Sequence, residues 1–406
     1  MSTLIQIQSS GGGGASGIWG ISNASGVYTY YATLTLAMVA AVAGQTIELF
    51  ADVTETGNVT VTLKNGVNIN GNGHTYTLNT NDATNAFITA PSVETSFVMN
   101  NLTIVRSVGS GAGIVLGLGS STLIDFTGTI IKNTGTGIAF SAESASPVEV
   151  YNLKAIANSG VGIQTNNPNQ VIKYSEGKST SNYGIWSING GAYYNCIGTS
   201  SSNWGIYAQT PSTSLNTCIG ISSSSAGISN YGNAYRCIGR SNSSVGFINY
   251  LTAYSCTGIS VSGAGLSQQG GNAINCEGIS NSNYGIRNAS VIEMVGCTAI
   301  SSNNAAIWHT NNPSGGIGTR LYDCKIISDY ANAAGVGVLG NIGEFPTGLY
   351  RCTFRLNSSL APYLNNGGVA KAMEFVSNIY RGGAVYNPNL TQSIVSTEDN
   401  QGNIFV

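Results

Sequence analysis

The side chains best suited to surface chemistry in this sequence are aromatic. Two short runs, Tyr183-Gly184-Ile185-Trp186 and Trp204-Gly205-Ile206-Tyr207, place a ring on either side of a Gly-Ile step, and Trp308 follows Ile307 in the same way. If each isoleucine points inward, Trp186 and Tyr207 point outward one repeat apart, with Tyr183 and Trp204 beside them. Aromatic faces among Asn and Ser side chains suit sugar rings, which offer apolar C–H faces and many hydroxyls. Packing against a neighbouring subunit, or simple covering of turns, would use the same residues. The candidate binding set is therefore Tyr183, Trp186, Trp204, Tyr207 and Trp308.

Carboxylate chemistry is harder to place. Glycosidases set two carboxyl groups about 5 to 10 Å apart, and this chain has only 6 Asp and 11 Glu, widely scattered. Glu277 and Asp323 fall on the outward strand two repeats apart and two positions out of register, a separation on the order of 11 to 12 Å from strand and coil spacings. Asp125, Glu149 and Glu176 lie earlier, with Lys154 and Lys173 near them in sequence. None of these forms a pair that can be assigned as catalytic. The two histidines, His74 and His309, are too far apart in sequence for a shared triad. No Asp-rich loop suggests calcium. No catalytic residue, metal or cofactor is expected.

The eight cysteines are Cys196, Cys218, Cys237, Cys256, Cys276, Cys297, Cys324 and Cys352, with successive spacings of 22, 19, 19, 20, 21, 27 and 28. Zinc sites pair ligands two to four residues apart, so this spacing is that of a repeat. Nine residues after Cys196 comes Gly205-Ile206, and the same offset gives Gly227-Ile228, Gly246-Phe247, Gly265-Leu266, Gly285-Ile286 and Ala306-Ile307. Glycine also stands two residues after each of the first five cysteines, and Ala299 after the sixth. A period near twenty is too short for two helices and a turn, and it fits three short strands with three turns. The units are rich in Gly, Ser, Asn, Tyr and Ile and poor in good helix formers. They read as coils of a parallel β-helix, stacked about 4.8 Å apart. In such a stack Cys, Gly and Ile recur inside, and the residues flanking each cysteine face out. Cysteine then acts as a small buried hydrophobe. The outward positions just after the cysteines (Ile197, Ile219, Ile238, Thr257, Glu277, Thr298, Lys325) form no array of identical residues, which argues against an ice-binding or adhesin surface. Tyr194, Tyr235, Tyr254, Tyr322 and Tyr350 stand two before a cysteine and predict an aromatic stack, either inside or at a bend.

Composition agrees with this architecture. Only 8% of the 406 residues are charged, the net charge is −2 and glycine supplies 54 residues. Disorder requires lower hydrophobicity with more charge or proline, and nucleic acid or anionic membranes call for more basic groups. The first basic residue is Lys64, so no signal-peptide n-region is expected. The longest apolar stretch is too short to span a bilayer. Thr33 to Ala43 predicts a short apolar helix, with Thr33 as N-cap and Gly44 beyond its end, suited to covering the first coil.

The run Gly44-Gln45-Thr46-Ile47-Glu48-Leu49, followed by Lys64-Asn65-Gly66-Val67-Asn68-Ile69-Asn70-Gly71-Asn72-Gly73-His74, resembles the opening coils of the pectate-lyase-like right-handed β-helix superfamily. Phage tailspikes and polysaccharide lyases share that opening. The resemblance implies an all-β, right-handed parallel β-helix over residues 29–356. An N-terminal extension with a glycine-rich linker at 1–28 would precede it, and a C-terminal cap or oligomerisation segment at 357–406 would follow. It further implies a virion-associated fibre or tailspike-like homotrimer, assembled in the host cytoplasm. Such a protein would bind a host-surface polysaccharide or receptor and meet other virion proteins through its N-terminus, with no membrane insertion and no nucleic acid. The alternative is a polysaccharide depolymerase, lyase or glycosidase, on the same scaffold.

Overall fold

The computed structural model describes residues 17–57, 59–79, 85–89, 96–107, 109–116, 122–143, 147–289, 293–309, 320–329, 336–340, 348–356, 361–365, 374–376, 379–381 and 404–405. The glycine run at 11–14 and most of the segment 357–406 lie outside these residues. The chain is mostly β, folded as a parallel β-solenoid of ~22-residue turns on three sheets, with one short helix near the N-terminus. Its contacts divide it into two compact units, Met1–Ser201 and Ser202–Val406, and each is described by itself.

In the first unit, sheet 1 holds the strands Thr46–Leu49, Asn68–Asn70, Phe97–Asn100, Thr122–Asp125, Val148–Tyr151, Val171–Lys173 and Gly191–Tyr194, paired in parallel. Sheet 2 runs from Val53–Thr56 to Ile197–Ser200. Sheet 3 runs from Val61–Leu63 to Ile185–Ser187. The first coil is covered by an antiparallel strand, Trp19–Ser22, which pairs with both Tyr28–Tyr31 and Thr46–Leu49. Helix α1, Leu34–Ala40, packs against Trp19–Ser22, Tyr28–Tyr31 and Val61–Leu63, burying Leu34, Ala37 and Met38. Thr33 is its N-cap, with its side chain accepting from the Leu36 amide. The helix stops at Ala40, short of the expected Ala43. Lys64 Nζ donates to the carbonyls of Val39 (2.7 Å) and Ala41 (3.2 Å), and Gln45 Oε1 accepts the Val42 amide (2.9 Å). These partners satisfy the last turn's free groups before Gly44 is reached. Inside this unit Trp19, Tyr76 and Phe87 meet edge to face, as do Phe97, Phe126 and Phe140.

The second unit shows the repeat at its most regular. One coil runs through Asn233–Tyr235 in sheet 1, bends at Arg236-Cys237, continues as Ile238–Ser241 in sheet 2, turns, and enters sheet 3 as Phe247–Asn249. Equivalent residues of successive coils lie in register, as in Ile238↔Thr257 and Thr257↔Glu277. The residue before every cysteine is left-handed, with φ from 52° at Arg351 to 63° at Gly296. Asn195, Thr217, Arg236, Ser255, Asn275 and Asp323 take the same conformation. It turns the chain from sheet 1 into sheet 2 and drives each thiol inward, where all eight are buried and free. Each of the thiols donates to a carbonyl two residues back, such as Cys237 Sγ to Tyr235 O at 3.3 Å.

Three more columns fill the second unit's interior. Ser222, Ser241, Ser260, Ser280, Ser301 and Ser328 end the sheet 2 strands and are buried. Ser241 Oγ accepts the Ser244 amide (2.9 Å), closing a turn, and donates to Ser225 O (2.6 Å) in the preceding coil. Asn230, Asn249, Gln268, Asn288 and His309 stand in register at the inner end of sheet 3. Asn230 Nδ2 donates to Asn249 Oδ1 at 2.9 Å, and Asn249 Nδ2 to Leu251 O at 2.7 Å, so this polar column satisfies carbonyls that water cannot reach. The third column is glycine. A Cβ at Gly258 would lie 2.1 Å from Gly265 O and 2.6 Å from Gly265 C, because sheets 2 and 3 touch backbone to backbone there.

That contact leaves no room for a methyl group. Gly258→Ala is expected to cost about 2 kcal/mol of unfolding free energy by overpacking, against less than about 0.5 kcal/mol for the outward Thr257→Ser. Chemical denaturation of both variants checks this.

Candidate functional site

The inward isoleucines fix the aromatic side chains. Ile185, Ile206, Ile228, Phe247, Leu266, Ile286 and Ile307 are buried, so the next residue on each sheet 3 strand points out. In the first unit this puts Trp186 on the surface in register with Gln164. Its ring lies 5.1 Å from that of Tyr183, across Gly184. In the second unit Trp204 and Tyr207 pair in the same way, with centroids 4.1 Å apart.

The second unit extends this pair into a strip. Tyr207 meets Tyr231 at 6.3 Å, and Tyr231 stacks on Tyr250 at 4.0 Å with planes 10° apart. Further along the same sheet, Trp308 lies 4.7 Å from Tyr284, and the Arg287 guanidinium sits 5.0 Å over the Trp308 ring. Arg287 and Trp308 are in register on neighbouring strands. The rings are half-buried and cover much of the sheet behind them, since the outward Ser229 and Ser267 are only 3% and 1% exposed. Burial, together with the Tyr231 hydroxyl beside it, pushes the Tyr250 phenol up to about 12. Tyr231 and Tyr250 follow their sheet 3 strands rather than sit on them, so the Gly-Ile reading did not single them out. Their spacing of 19 residues, equal to the local repeat, is the signal that was available.

The tyrosines two before each cysteine lie outside, on sheet 1. Tyr235 and Tyr254 stack at 5.2 Å and 1°, and Tyr322 and Tyr350 at 4.7 Å and 15°. In the first unit the same column holds Lys173 over the Tyr151 ring at 4.9 Å and over the Tyr194 ring at 5.9 Å.

Of the carboxylates singled out from the sequence, Glu149, Glu176, Asp125 and Asp323 are held by cations, hydroxyls or amides. Glu149 accepts from Tyr151 Oη (2.5 Å) and lies 3.6 Å from Lys173 Nζ, and Glu176 pairs with Lys154 at 2.8 Å. The hydrogen bond that Lys173 Nζ donates to Tyr151 Oη and the charge of Glu149 hold the lysine above its ordinary range. Asp125 accepts from Asn152 Nδ2 at 2.9 Å. Asp323 receives two 2.8 Å bonds from Arg351, which lower its carboxyl below the usual range. Glu277 stands in an outward column between Thr257 and Thr298. Among the described residues no three His, Cys, Asp or Glu side chains gather to hold a metal ion. All eight thiols are buried, and they shift one another in both directions. Hydrogen bonds with neighbouring thiols, with burial, push Cys256 and Cys324 well above the usual range, while hydrogen bonds with neighbouring thiols lower Cys276 and Cys352.

A second outward column on sheet 2 was not singled out from the sequence. Two residues beyond the positions next to the cysteines, Ile221, Arg240, Ile259, Ile279, Ile300 and Ile327 stand in register. Five of six are isoleucine, and Ile221 is 38% exposed. The array was legible at the third residue after each cysteine, where a single outward position had been read instead of both.

The histidines have separate fates. His74 Nδ1 lies 3.3 Å from Asp52 on the surface of the first unit. His309 ends the inner polar column of the second, its Nε2 buried without a hydrogen-bond partner among the described residues. Burial lowers its pKa from 6.5 to about 4. The unfolded chain therefore takes up a proton between pH 6.5 and 4 that the native state refuses, and native stability falls as pH drops through that window. His309→Gln is expected to remove an acid sensitivity on the order of 3 kcal/mol, read as the wild-type minus variant difference in denaturation free energy between pH 7 and pH 4. An unchanged difference would place the imidazole in contact with water.

Comparison of the chain with family models, with curated proteins and with solved structures finds no match.

Proposed function

We propose that the protein is a structural fibre or spike component of a phage particle that binds a host-surface glycan without cleaving it. The observation that carries this reading is the aromatic strip on sheet 3 of the second unit, where Trp204, Tyr207, Tyr231, Tyr250, Tyr284 and Trp308 expose parts of their rings over successive coils. Rings repeating at about the coil spacing of 4.8 Å offer an extended polysaccharide two apolar stretches, from Trp204 to Tyr250 and from Tyr284 to Trp308, separated by the ring-free Leu266–Gln268 coil. Asn and Ser side chains nearby supply hydrogen bonds. Half-burial of the rings holds them rigid, so little conformational entropy is lost on binding. The pairing of Glu149, Glu176 and Asp323 with cations supports binding over cleavage.

A homotrimer is also proposed, and the isoleucine column on sheet 2 supports it. An apolar ladder, interrupted only at Arg240, meshes best with a surface of the same period, and a second copy of this chain supplies one.

Purified protein is expected to bind a subset of polysaccharides on an array of bacterial surface glycans. Trp308→Ala should weaken that binding roughly tenfold, corresponding to the loss of about 1.4 kcal/mol. Release of new reducing or unsaturated ends from a bound glycan would replace this reading with that of a depolymerase. Light scattering under native conditions should give the mass of three 41.8 kDa chains, and a monomeric mass would remove the trimer.

A further inference from the structure

Arg287 is the outward charge on the sheet 3 strands Ile206–Ala208, Ile228–Asn230, Phe247–Asn249, Leu266–Gln268, Ile286–Asn288 and Ile307–His309. Its guanidinium stacks on the Trp308 ring at 5.0 Å, and both Tyr250 and Tyr284 lie within its electrostatic reach. No carboxylate pairs with it among the described residues, and its buried Nε has no acceptor. Arg351 in the same unit is used differently: it forms a bidentate pair with Asp323. A cation fixed on an aromatic face, half-buried and without a counter-ion, is a costly arrangement in the free protein. An anion arriving with the ligand would relieve that cost.

We infer that Arg287 is the charge-reading residue of the strip and that the glycan it takes is acidic, carrying a carboxylate on a sugar that stacks beside Trp308. The terminal Nη atoms make the contact, since Nε is covered by the stack. A planar guanidinium meets a carboxylate edge with two parallel hydrogen bonds, while the rings on either side hold the sugar's apolar faces. The rest of the strip is uncharged, so neutral sugar residues would occupy the remaining length. This rests on the glycan-binding reading above and narrows it to one chemical class.

The test uses the full chain on an array of polysaccharides, each printed as the free acid and after reduction of its carboxyl groups to alcohols. The wild type should bind its acidic targets about tenfold more tightly than their reduced forms, and the preference should shrink as salt is raised. Arg287→Gln should bring the ratio close to one, with a melting temperature no lower than that of the wild type. Arg287→Lys should keep part of the preference, since it retains charge without the fork. A ratio that survives Arg287→Gln, or equal wild-type binding of acid and reduced forms, would overturn the inference and leave glycan binding intact. Absence of binding to any printed glycan would overturn both.

Discussion

In-register parallel stacking is the constraint from which the rest of this molecule follows. Each backbone amide of a coil bonds to the coils on either side, so every side chain sits about 4.8 Å above its own equivalent. Like charges in such a column repel and bulky residues collide, while residues that bond to their own kind are favoured. The low charge, the glycine columns where sheets 2 and 3 touch, and the neutral ladders of Ser, Asn and Cys answer this one requirement. Charge is tolerated where it alternates, as in the run of Tyr151, Lys173 and Tyr194.

Stacking also explains what could be read from the sequence. Cys, Gly and Ile recur at fixed offsets because their positions admit few other residues, and the coil, the inward isoleucines and the outward Trp186 and Tyr207 follow from that spacing. The polar interior was less visible. Ser241 and Asn249 resemble turn residues in a linear reading, yet they lie inside, because a narrow solenoid leaves carbonyls at its corners that only short polar side chains can reach. The left-handed bend before each cysteine was hidden because five residue types besides glycine occupy it across the eight coils. Its cost per residue is small beside a full set of ladder bonds. Helix α1 ended early because Lys64, distant in sequence, takes its terminal carbonyls.

The same geometry shapes the surface. The outward residues of a solenoid form ladders that favour long, repeating ligands. Sheet 3 of the second unit carries rings on this spacing, and sheet 2 carries isoleucine. Two faces of one coil thus present two kinds of surface, one of aromatic rings and one of isoleucine. Of the five aromatic residues read from the sequence, Trp204, Tyr207 and Trp308 belong to the strip of the second unit. Tyr183 and Trp186 form their own pair in the first.

The most direct test of this account is a crystal structure of the protein with an oligosaccharide from a glycan it binds. Sugar rings should lie along sheet 3 of the second unit, stacked on Tyr207, Tyr231 or Tyr250 and on Trp308. An oligosaccharide seated instead against Glu149, Tyr151 and Lys173, or on the isoleucine face of sheet 2, would contradict it.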